Sequence, residues 1–318
     1  MSTILVLGGT GFVGRSVCAR LVERSGGAGG SIVVPSRRPA RAKHIQFLPT
    51  VQIVEADVHN EKQLARLVRG CDAVVNLVAI LHGNQAAFQR VHVDLPAKLA
   101  RVCLAANVKR VVHVSALGVS DRAPSLYLRS KTAGELMLKS ARLDLSILRP
   151  SVMFGEHDRF LNLFASLQAV FPVMPLGGAQ AQFQPVWVED VAMAILRCLA
   201  DAGTVGQTYE CAGPRVFTLK ELVELAGRLS GHSRPVLALP NGLARLQAAL
   251  MELLPGEPLM SRDNVDSMKV PNVATAQWPG LAALGISPSA LEAIAPLYLA
   301  PGQGLARLNP WRAKAGRR

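Results

Sequence analysis

The amino-acid sequence predicts an α/β protein built on a doubly wound parallel sheet, followed by a smaller α+β lobe. Three observations carry that expectation. Short runs of β-favouring aliphatics alternate with stretches of helical apolar spacing through the first half of the chain. Those runs are almost continuously apolar, as strands covered on both faces must be. The first run ends in a glycine-punctuated turn that leads straight into helical spacing.

The first strand starts at residue 3 or 4 in the run Ile4-Leu-Val-Leu. It turns through Gly8, Gly11 and Gly14, and helical spacing follows at Val13, Val17, Leu21 and Val22. Further strands are expected at 32–34, 51–54, 73–78, 111–114 and 145–148, with helices over 60–70, 88–107 and 124–141 between them. Right-handed crossovers then place helices on both faces and open a crevice at the C-terminal strand ends. From Arg149-Pro150 onward, Pro172, Pro175, Gly177-Gly178, Gly213-Pro214, Pro240 and Pro255 punctuate shorter elements. The expected organisation is a core over 1–150, a smaller substrate or partner lobe over 151–300 with 191–199 returning to cover the sheet, and a basic tail over 301–318.

Bulk properties narrow the function classes. Half of the 318 residues are hydrophobic and 18% are charged, which excludes extended disorder. No apolar run is long enough to span a bilayer, and the first strand leaves no room for a signal peptide. Five scattered cysteines without metal-type pairing (Cys18, Cys71, Cys103, Cys198, Cys211) read as buried reduced thiols in a cytoplasmic setting. No His/Cys/Asp grouping has metal-ligand spacing, so no metal is expected. The net charge of +13 is partly gathered in Arg307, Arg312, Lys314, Arg317 and Arg318 beside Trp311. Without a nucleic-acid fold signature, this charge does not make nucleic acid the partner. A frayed, solvated terminus is the simpler reading, and contact with an anionic membrane surface is the sharper one.

The turn over 8–14 has the geometry that holds a dinucleotide pyrophosphate. Backbone N–H groups at a helix N-terminus face the phosphates, and glycine lets the backbone approach them. Thr10, Phe12 and Val13 complete this cradle with Gly8, Gly11 and Gly14, and the core becomes a Rossmann-type fold. At the end of the second strand, Ser36-Arg37-Arg38 supplies a hydroxyl and two guanidinium groups where an acidic residue would hold a ribose 2′-hydroxyl. That favours NADP(H) over NAD(H). Asp57-Val58 after the third strand suits the adenine amino group, and Asn76 with the small Ala79 ends the fourth strand beside the adenosine ribose.

Tyr127 and Lys131 stand four residues apart, on one face of a helix. A cation within hydrogen-bonding range lowers a phenol from its ordinary pKa of about 10. Such a tyrosine can pass a proton to a carbonyl, and the lysine can also hold the nicotinamide ribose. His113 reads as a satisfied core or strand-end residue. Asp158 reads as a helix cap that explains the turn around His157. Segment 241–254 places Leu243, Leu246, Leu250 and Leu254 on one helix face, expected to pack on the lobe or, alternatively, to lie on a membrane or frame an isoprenoid pocket.

The glycine turn, Asp57-Val58, the Tyr127…Lys131 pair and the stretch Trp187-Val-Glu-Asp-Val-Ala resemble the extended and atypical short-chain dehydrogenase/reductase superfamily, with its epimerase/dehydratase-like members. More narrowly, Tyr-Leu-Arg-Ser-Lys-Thr-Ala-Gly-Glu (127–135), Leu-Arg-Pro-Ser-Val-Met-Phe-Gly (148–155) and Asp-Arg-Phe-Leu-Asn (158–162) resemble the nucleotide-binding accessory subunit of respiratory complex I and its stand-alone bacterial and ubiquinone-biosynthesis relatives. The likeness covers about residues 3–215. It implies Pro150 at the cofactor and Ser115 in the catalytic group. It also implies hydride transfer, reduction or epimerisation at a carbonyl for the superfamily, and for the narrower branch a tightly held NADP(H), structural in role, with a lobe facing partners or quinone-like substrates. One position departs: Leu117 stands where the superfamily carries a serine or threonine that bonds the substrate oxygen. Two functions therefore remain open. One is an NADP(H)-dependent oxidoreductase acting on a hydrophobic carbonyl or quinone-like substrate, with Tyr127 as proton donor. The other is a non-catalytic NADP(H)-binding assembly or sensor protein, with peripheral contact to the inner face of a membrane or a respiratory complex.

Overall fold

A computed structural model describes residues 2–27, 29–253, 256 and 258–303. The basic stretch from 304 onward and Leu254 lie outside the described residues. The chain divides into two compact units. The first holds the described residues of Met1–Pro150, Glu189–Cys211 and Thr275–Ile286, and the second those of Ser151–Val188, Ala212–Ala274 and Ser287–Arg318.

The first unit is organised by a seven-stranded sheet. In chain order its elements are β1 (Thr3–Leu7), α1 (Phe12–Arg24), β2 (Ser31–Ser36), β3 (Val51–Glu55), α2 (Glu61–Val68), β4 (Ala73–Asn76), α3 (Leu95–Ala105), β5 (Arg110–Val114), α4 (Leu126–Lys139), β6 (Asp144–Pro150), α5 (Val188–Ala200, all but Val188 in this unit) and β7 (Thr208–Cys211). The strand order is β7-β6-β5-β4-β1-β2-β3, and every pairing is parallel. The sheet therefore winds outward in both directions from β1 and β4, and the α/β expectation holds. Leu5, Leu7, Leu64, Leu95 and Leu99 are fully buried in one cluster with β5 and β6 residues. Each such side chain contributes about 1.5–3 kcal/mol relative to exposure. Helices α1 and α5 lie side by side, joined by Arg20 and Glu189 at 2.7 Å and by Arg24 donating to the Leu196 carbonyl at 3.2 Å.

Two elements depart from the sequence expectation. β4 ends at Asn76 rather than at 78, because Asn76 Oδ1 accepts the Val78 N–H at 3.2 Å and turns the chain out of the ladder. The helix expected over 88–107 is broken into a short turn (Gln85–Phe88), a π-helical turn (Gln89–Asp94) and α3. Pro96, in the first turn of α3, has no N–H to give the His92 carbonyl, so regular α-helical bonding cannot run through this point. The His92 carbonyl approaches Gly134 of α4 so closely that a Cβ there would collide with it. A proline and a glycine far apart in sequence thus fix how the π turn meets α4.

The second unit is built from short paired strands and helices. Met174–Gly177 pairs with Val236–Leu239, Met153–Phe154 with Val186–Trp187, and Gln182–Phe183 with Phe217–Thr218. Phe154, Phe217, Leu222 and Tyr298 anchor its core, with Phe160 and Phe164 packed against them. Asp158 accepts the N–H groups of Phe160 and Asn162 at the start of helix Leu161–Val170, and the Tyr298 hydroxyl at 3.0 Å. Among the described residues, the leucine stripe expected over 241–254 does not face the lobe. Helix Asn241–Glu252 buries Ala244 and Ala248, while Leu243, Leu246 and Leu250 are more than half exposed. The small alanines allow a close approach to Gly177, whose added Cβ would meet the Ala244 methyl at 2.6 Å, and this turns the leucines outward.

Candidate functional site

The C-terminal ends of β1 to β5 lie together because their registers match, Leu7 opposite Asn76 and Asn76 opposite His113. A cavity of about 540 Å³ opens there, lined by Gly8, Thr10, Ser36, Arg37 and Arg38, with Val58 and Val78 on its apolar side. Gly8 takes a left-handed φ of +82° at the end of β1, and a Cβ on Gly14 would run into the Gly8 carbonyl and the Gly9 backbone. These two positions require glycine for the turn and for the close helix approach. Gly9 was not singled out from the sequence, yet a Cβ there would meet Val34 at 2.8 Å.

Helix α1 starts at Phe12 with no side-chain cap and no acidic residue in its first turn. The Phe12 and Val13 N–H groups have no acceptor among the described residues. Such N–H groups at the positive end of a helix dipole are built to receive an anion. Ser36 Oγ accepts the Arg38 N–H at 3.2 Å. Both guanidinium groups are exposed, and neither forms an ion pair among the described residues. A dinucleotide fits this cradle on three counts: uncapped N–H groups, glycines a Cβ would fill, and two unpaired cations at the end of β2.

Of the remaining predicted cofactor residues Val58 lines this cavity, whereas Asp57, Asn76, Ala79 and Pro150 do not. Asp57 Oδ1 accepts the His59 N–H at 3.0 Å, and its other oxygen stands 3.8 Å from Arg90. Asn76 is 1% exposed and uses both polar atoms within the protein, toward the Val78 N–H and His113 Nδ1. Ala79 is exposed, and the buried Pro150 accepts the Leu117 N–H through its carbonyl at 3.0 Å. Leu117 itself is 1% exposed, so no hydroxyl is presented at that position.

The tyrosine and lysine sit on α4, whose N-terminus is capped by Ser125 accepting the Leu128 N–H. Lys131 is buried, and its ammonium donates to the Val114 carbonyl at 2.8 Å. Burial lowers it to about 8, with Glu135 opposing. Tyr127 is partly buried, and loss of solvation pushes its hydroxyl up to about 12. This corrects the expected depression of the phenol. The lysine is turned to a carbonyl at the end of β5, and desolvation, not the cation, sets the tyrosine. Ser115 is 4% exposed; its Oγ helps hold the Glu135 carboxyl low but makes no hydrogen bond of ordinary geometry among the described residues.

Two residues without a role in the sequence reading complete this cluster. His92 accepts the Ile80 N–H on Nε2 at 3.1 Å, so its Nδ1 carries the proton and donates to Ser130 Oγ at 2.8 Å. Its ring lies edge-on to Tyr127 at 5.5 Å. Burial, then Lys131 and His113, lowers it to about 3. Glu135, four residues beyond Lys131, is held by Arg149 at 2.9 and 2.7 Å. Burial alone would raise its carboxyl, but Arg149 brings it down to about 2. The recurrence of residues 127, 131 and 135 at four-residue spacing was the available signal for Glu135; His92 had none, since its placement depends on the π turn. Among the described residues, no group of three or more His, Cys, Asp or Glu could hold a metal.

Comparison with known proteins extends this picture. A model of the NAD dependent epimerase/dehydratase family matches residues 4–212. Subunit 9 of the NADH dehydrogenase [ubiquinone] 1 alpha subcomplex from Mus musculus is 31% identical over 294 residues, covering 90% of this chain and 77% of that one. A ceramide reductase of Caulobacter vibrioides is 28% identical over 195 residues, covering 61% of this chain and 59% of that one. Among solved structures, the dTDP-glucose 4,6-dehydratase DesIV of Streptomyces venezuelae, with NAD bound, superposes with a TM-score of 0.70 at 23% identity, covering 98% of this chain and 97% of that one.

Proposed function

Because this chain belongs to the NAD dependent epimerase/dehydratase family, we propose that it is an NADP(H)-binding oxidoreductase that reduces a hydrophobic carbonyl or quinone-like substrate. The observation that carries the cofactor choice is the unpaired Arg37 and Arg38 lining the cavity at the end of β2. Two guanidinium groups without carboxylate partners suit a 2′-phosphate, and no acidic residue stands there to hold a 2′-hydroxyl. Bound NADPH would supply the hydride.

The chain's own residues set the direction. A hydroxyl pushed up to about 12 stays protonated across the physiological range, so Tyr127 is suited to donate a proton to a carbonyl oxygen. It is poorly suited to begin an oxidation as a phenolate. Lys131, lowered to about 8 and bonded to the Val114 carbonyl, joins the end of β5 to α4 and would hold a ribose hydroxyl in this reading. With Leu117 in place of a hydroxyl, Tyr127 alone polarises the substrate oxygen.

The second reading is a non-catalytic NADP(H)-binding assembly or sensor protein. It is favoured by Leu117 and by similarity to complex I subunits such as that of Mus musculus. The outward leucines of helix Asn241–Glu252 would serve either reading, as a hydrophobic ligand surface or as a peripheral contact with a membrane or respiratory complex. A cytoplasmic location at the inner face of the membrane suits both, as do five buried free cysteines. Purification followed by nucleotide binding and single-turnover reduction of a carbonyl and a quinone separates them. NADPH consumption that Tyr127→Phe abolishes supports the oxidoreductase. Tight NADPH binding that no acceptor discharges supports the assembly reading.

A further inference from the structure

His59 is the titratable ring in the nucleotide cavity that the reading above does not use. It follows Asp57-Val58 and lines the cavity with Arg37 and Arg38. Its Nδ1 is buried and has no hydrogen-bond partner among the described residues. In this it differs from His92, both of whose ring nitrogens are engaged. The residue is also tethered on both sides: its N–H donates to Asp57 Oδ1 at 3.0 Å, and its carbonyl accepts from Lys98 Nζ at 2.8 Å. The backbone of His59 is therefore fixed on both sides where the residue lines the cavity.

Four charged groups act on the ring. Arg37 follows β2, Arg90 sits on the π turn, Lys98 on α3, and Asp57 stands beside it. Burial, Arg90, Arg37 and Lys98 hold the imidazole below its ordinary value of 6.5, while Asp57 opposes them. In this field a neutral ring is the stable form, and it offers a single N–H.

We propose that His59 makes this cavity a proton-linked phosphate site, in which a phosphate dianion seated among Arg37 and Arg38 draws a proton from solvent onto the imidazole ring. The inference rests on the NADP(H) reading and adds a third residue and a pH response to it. The dianion reverses the sign of the local field, so the protonated ring becomes favoured and gains a second N–H donor. The ring's pKa is lower in the free protein than in the bound one. Between those two values, binding takes up a proton, and NADPH binds more tightly as pH falls through the bound-state value. The ligand's 2′-phosphate, with a second pKa near 6, acts in the opposite sense by shedding a proton when it binds as a dianion. The contribution of His59 is therefore the difference between the natural protein and His59→Gln, which keeps a polar side chain and cannot titrate.

Calorimetric titration with NADPH and with NADH at about pH 6.5, in two buffers of different ionisation heat, counts the protons exchanged per nucleotide. The natural protein should take up more protons per NADPH than His59→Gln, by up to about one, with no such difference for NADH. Equal proton counts in both proteins, with NADPH still preferred over NADH, overturn the role of His59 and leave the cofactor reading standing. NADPH bound no more tightly than NADH overturns both. Should His59→Gln fail to fold, proton NMR of the His59 ring in the natural protein decides. A pKa raised by about one unit or more on saturation with NADPH supports the proposal, and an unmoved pKa overturns it.

Discussion

Glu135 grips Arg149 through both carboxylate oxygens, at 2.9 and 2.7 Å, one helical turn beyond Lys131 on α4. The pair ties α4 to β6. It also places a negative charge where it opposes the loss of the Lys131 proton. Trp278 covers it, with the Arg149 guanidinium 5.3 Å from the ring centroid. Position 135 therefore couples the stability of the first unit to the ionisation of its buried lysine.

Replacing Glu135 with Gln should cost about 3–5 kcal/mol, the usual penalty for stranding one partner of a buried pair. Urea unfolding measures it. The same residue sets an acid limit. Its carboxyl lies near 2 in the fold against an ordinary 4.5. A depressed carboxyl stabilises the fold above the unfolded value, and that contribution is lost as pH falls from about 4.5 toward 2. The loss amounts to about 3 kcal/mol at 1.36 kcal/mol per pKa unit. The natural protein should lose stability across that window, and Glu135→Gln should lose less.

Tyr127→Phe should lower reductive turnover by about 100- to 10,000-fold, the range of a general-acid contribution. NADPH affinity should stay within about twofold, since the hydroxyl is assigned no cofactor contact. Because Tyr127 is pushed up to about 12, the rate should show no fall from tyrosine ionisation between pH 6 and 9. Stopped-flow NADPH oxidation against pH tests both statements. A rate that survives the substitution removes Tyr127 from the chemistry.

Arg37→Gln and Arg38→Gln should each weaken NADPH binding by about 10- to 100-fold while leaving NADH binding unchanged. Each loses a charge-assisted contact of about 1.5–3 kcal/mol. The two effects should not add fully, because in the proposed site both guanidinium groups would share one phosphate. Fluorescence titration with both nucleotides is the measurement, and equal losses for NADPH and NADH would contradict the assignment.

The strand runs of the first 150 residues and the glycine turn were legible because both are local. Strand runs, helical spacing and the Gly8, Gly11 and Gly14 pattern each occupy a few consecutive residues. What was not legible depended on distant partners. The π turn arises because Pro96 frees the His92 carbonyl and Gly134, 38 residues later, leaves room for it. The raised Tyr127 hydroxyl depends on burial that spacing does not reveal. The leucine stripe at 243, 246 and 250 was visible as a stripe, but its direction was set by Ala244 and Ala248 seating the helix beside Gly177.

The Pro96–Gly134 junction gives a further test. Gly134→Ala places a methyl against the His92 carbonyl, so α4 or the π turn must shift. The cost should be about 1–3 kcal/mol by overpacking, read from thermal unfolding. Because Tyr127 and His92 meet across this junction, turnover should fall further than stability alone accounts for. Unchanged activity in a destabilised Gly134→Ala protein would show that the junction does not position Tyr127.

The exposed leucines separate a ligand or membrane surface from a packing face. Leu246 and Leu250 are 56% and 58% exposed, so Leu246→Ser with Leu250→Ser should change stability by no more than about 0.5 kcal/mol per site. If the stripe meets lipid or a long apolar substrate, the double variant should bind anionic liposomes, or turn over hydrophobic acceptors, at least about tenfold less well. Two buried leucines would contribute about 3 kcal/mol or more. NADPH binding, proposed here for the first unit, should be unaffected. Sedimentation with liposomes of defined anionic content and steady-state turnover of acceptors with increasing chain length distinguish the two ligands. Unchanged liposome binding together with unchanged chain-length dependence would exclude the stripe from both roles.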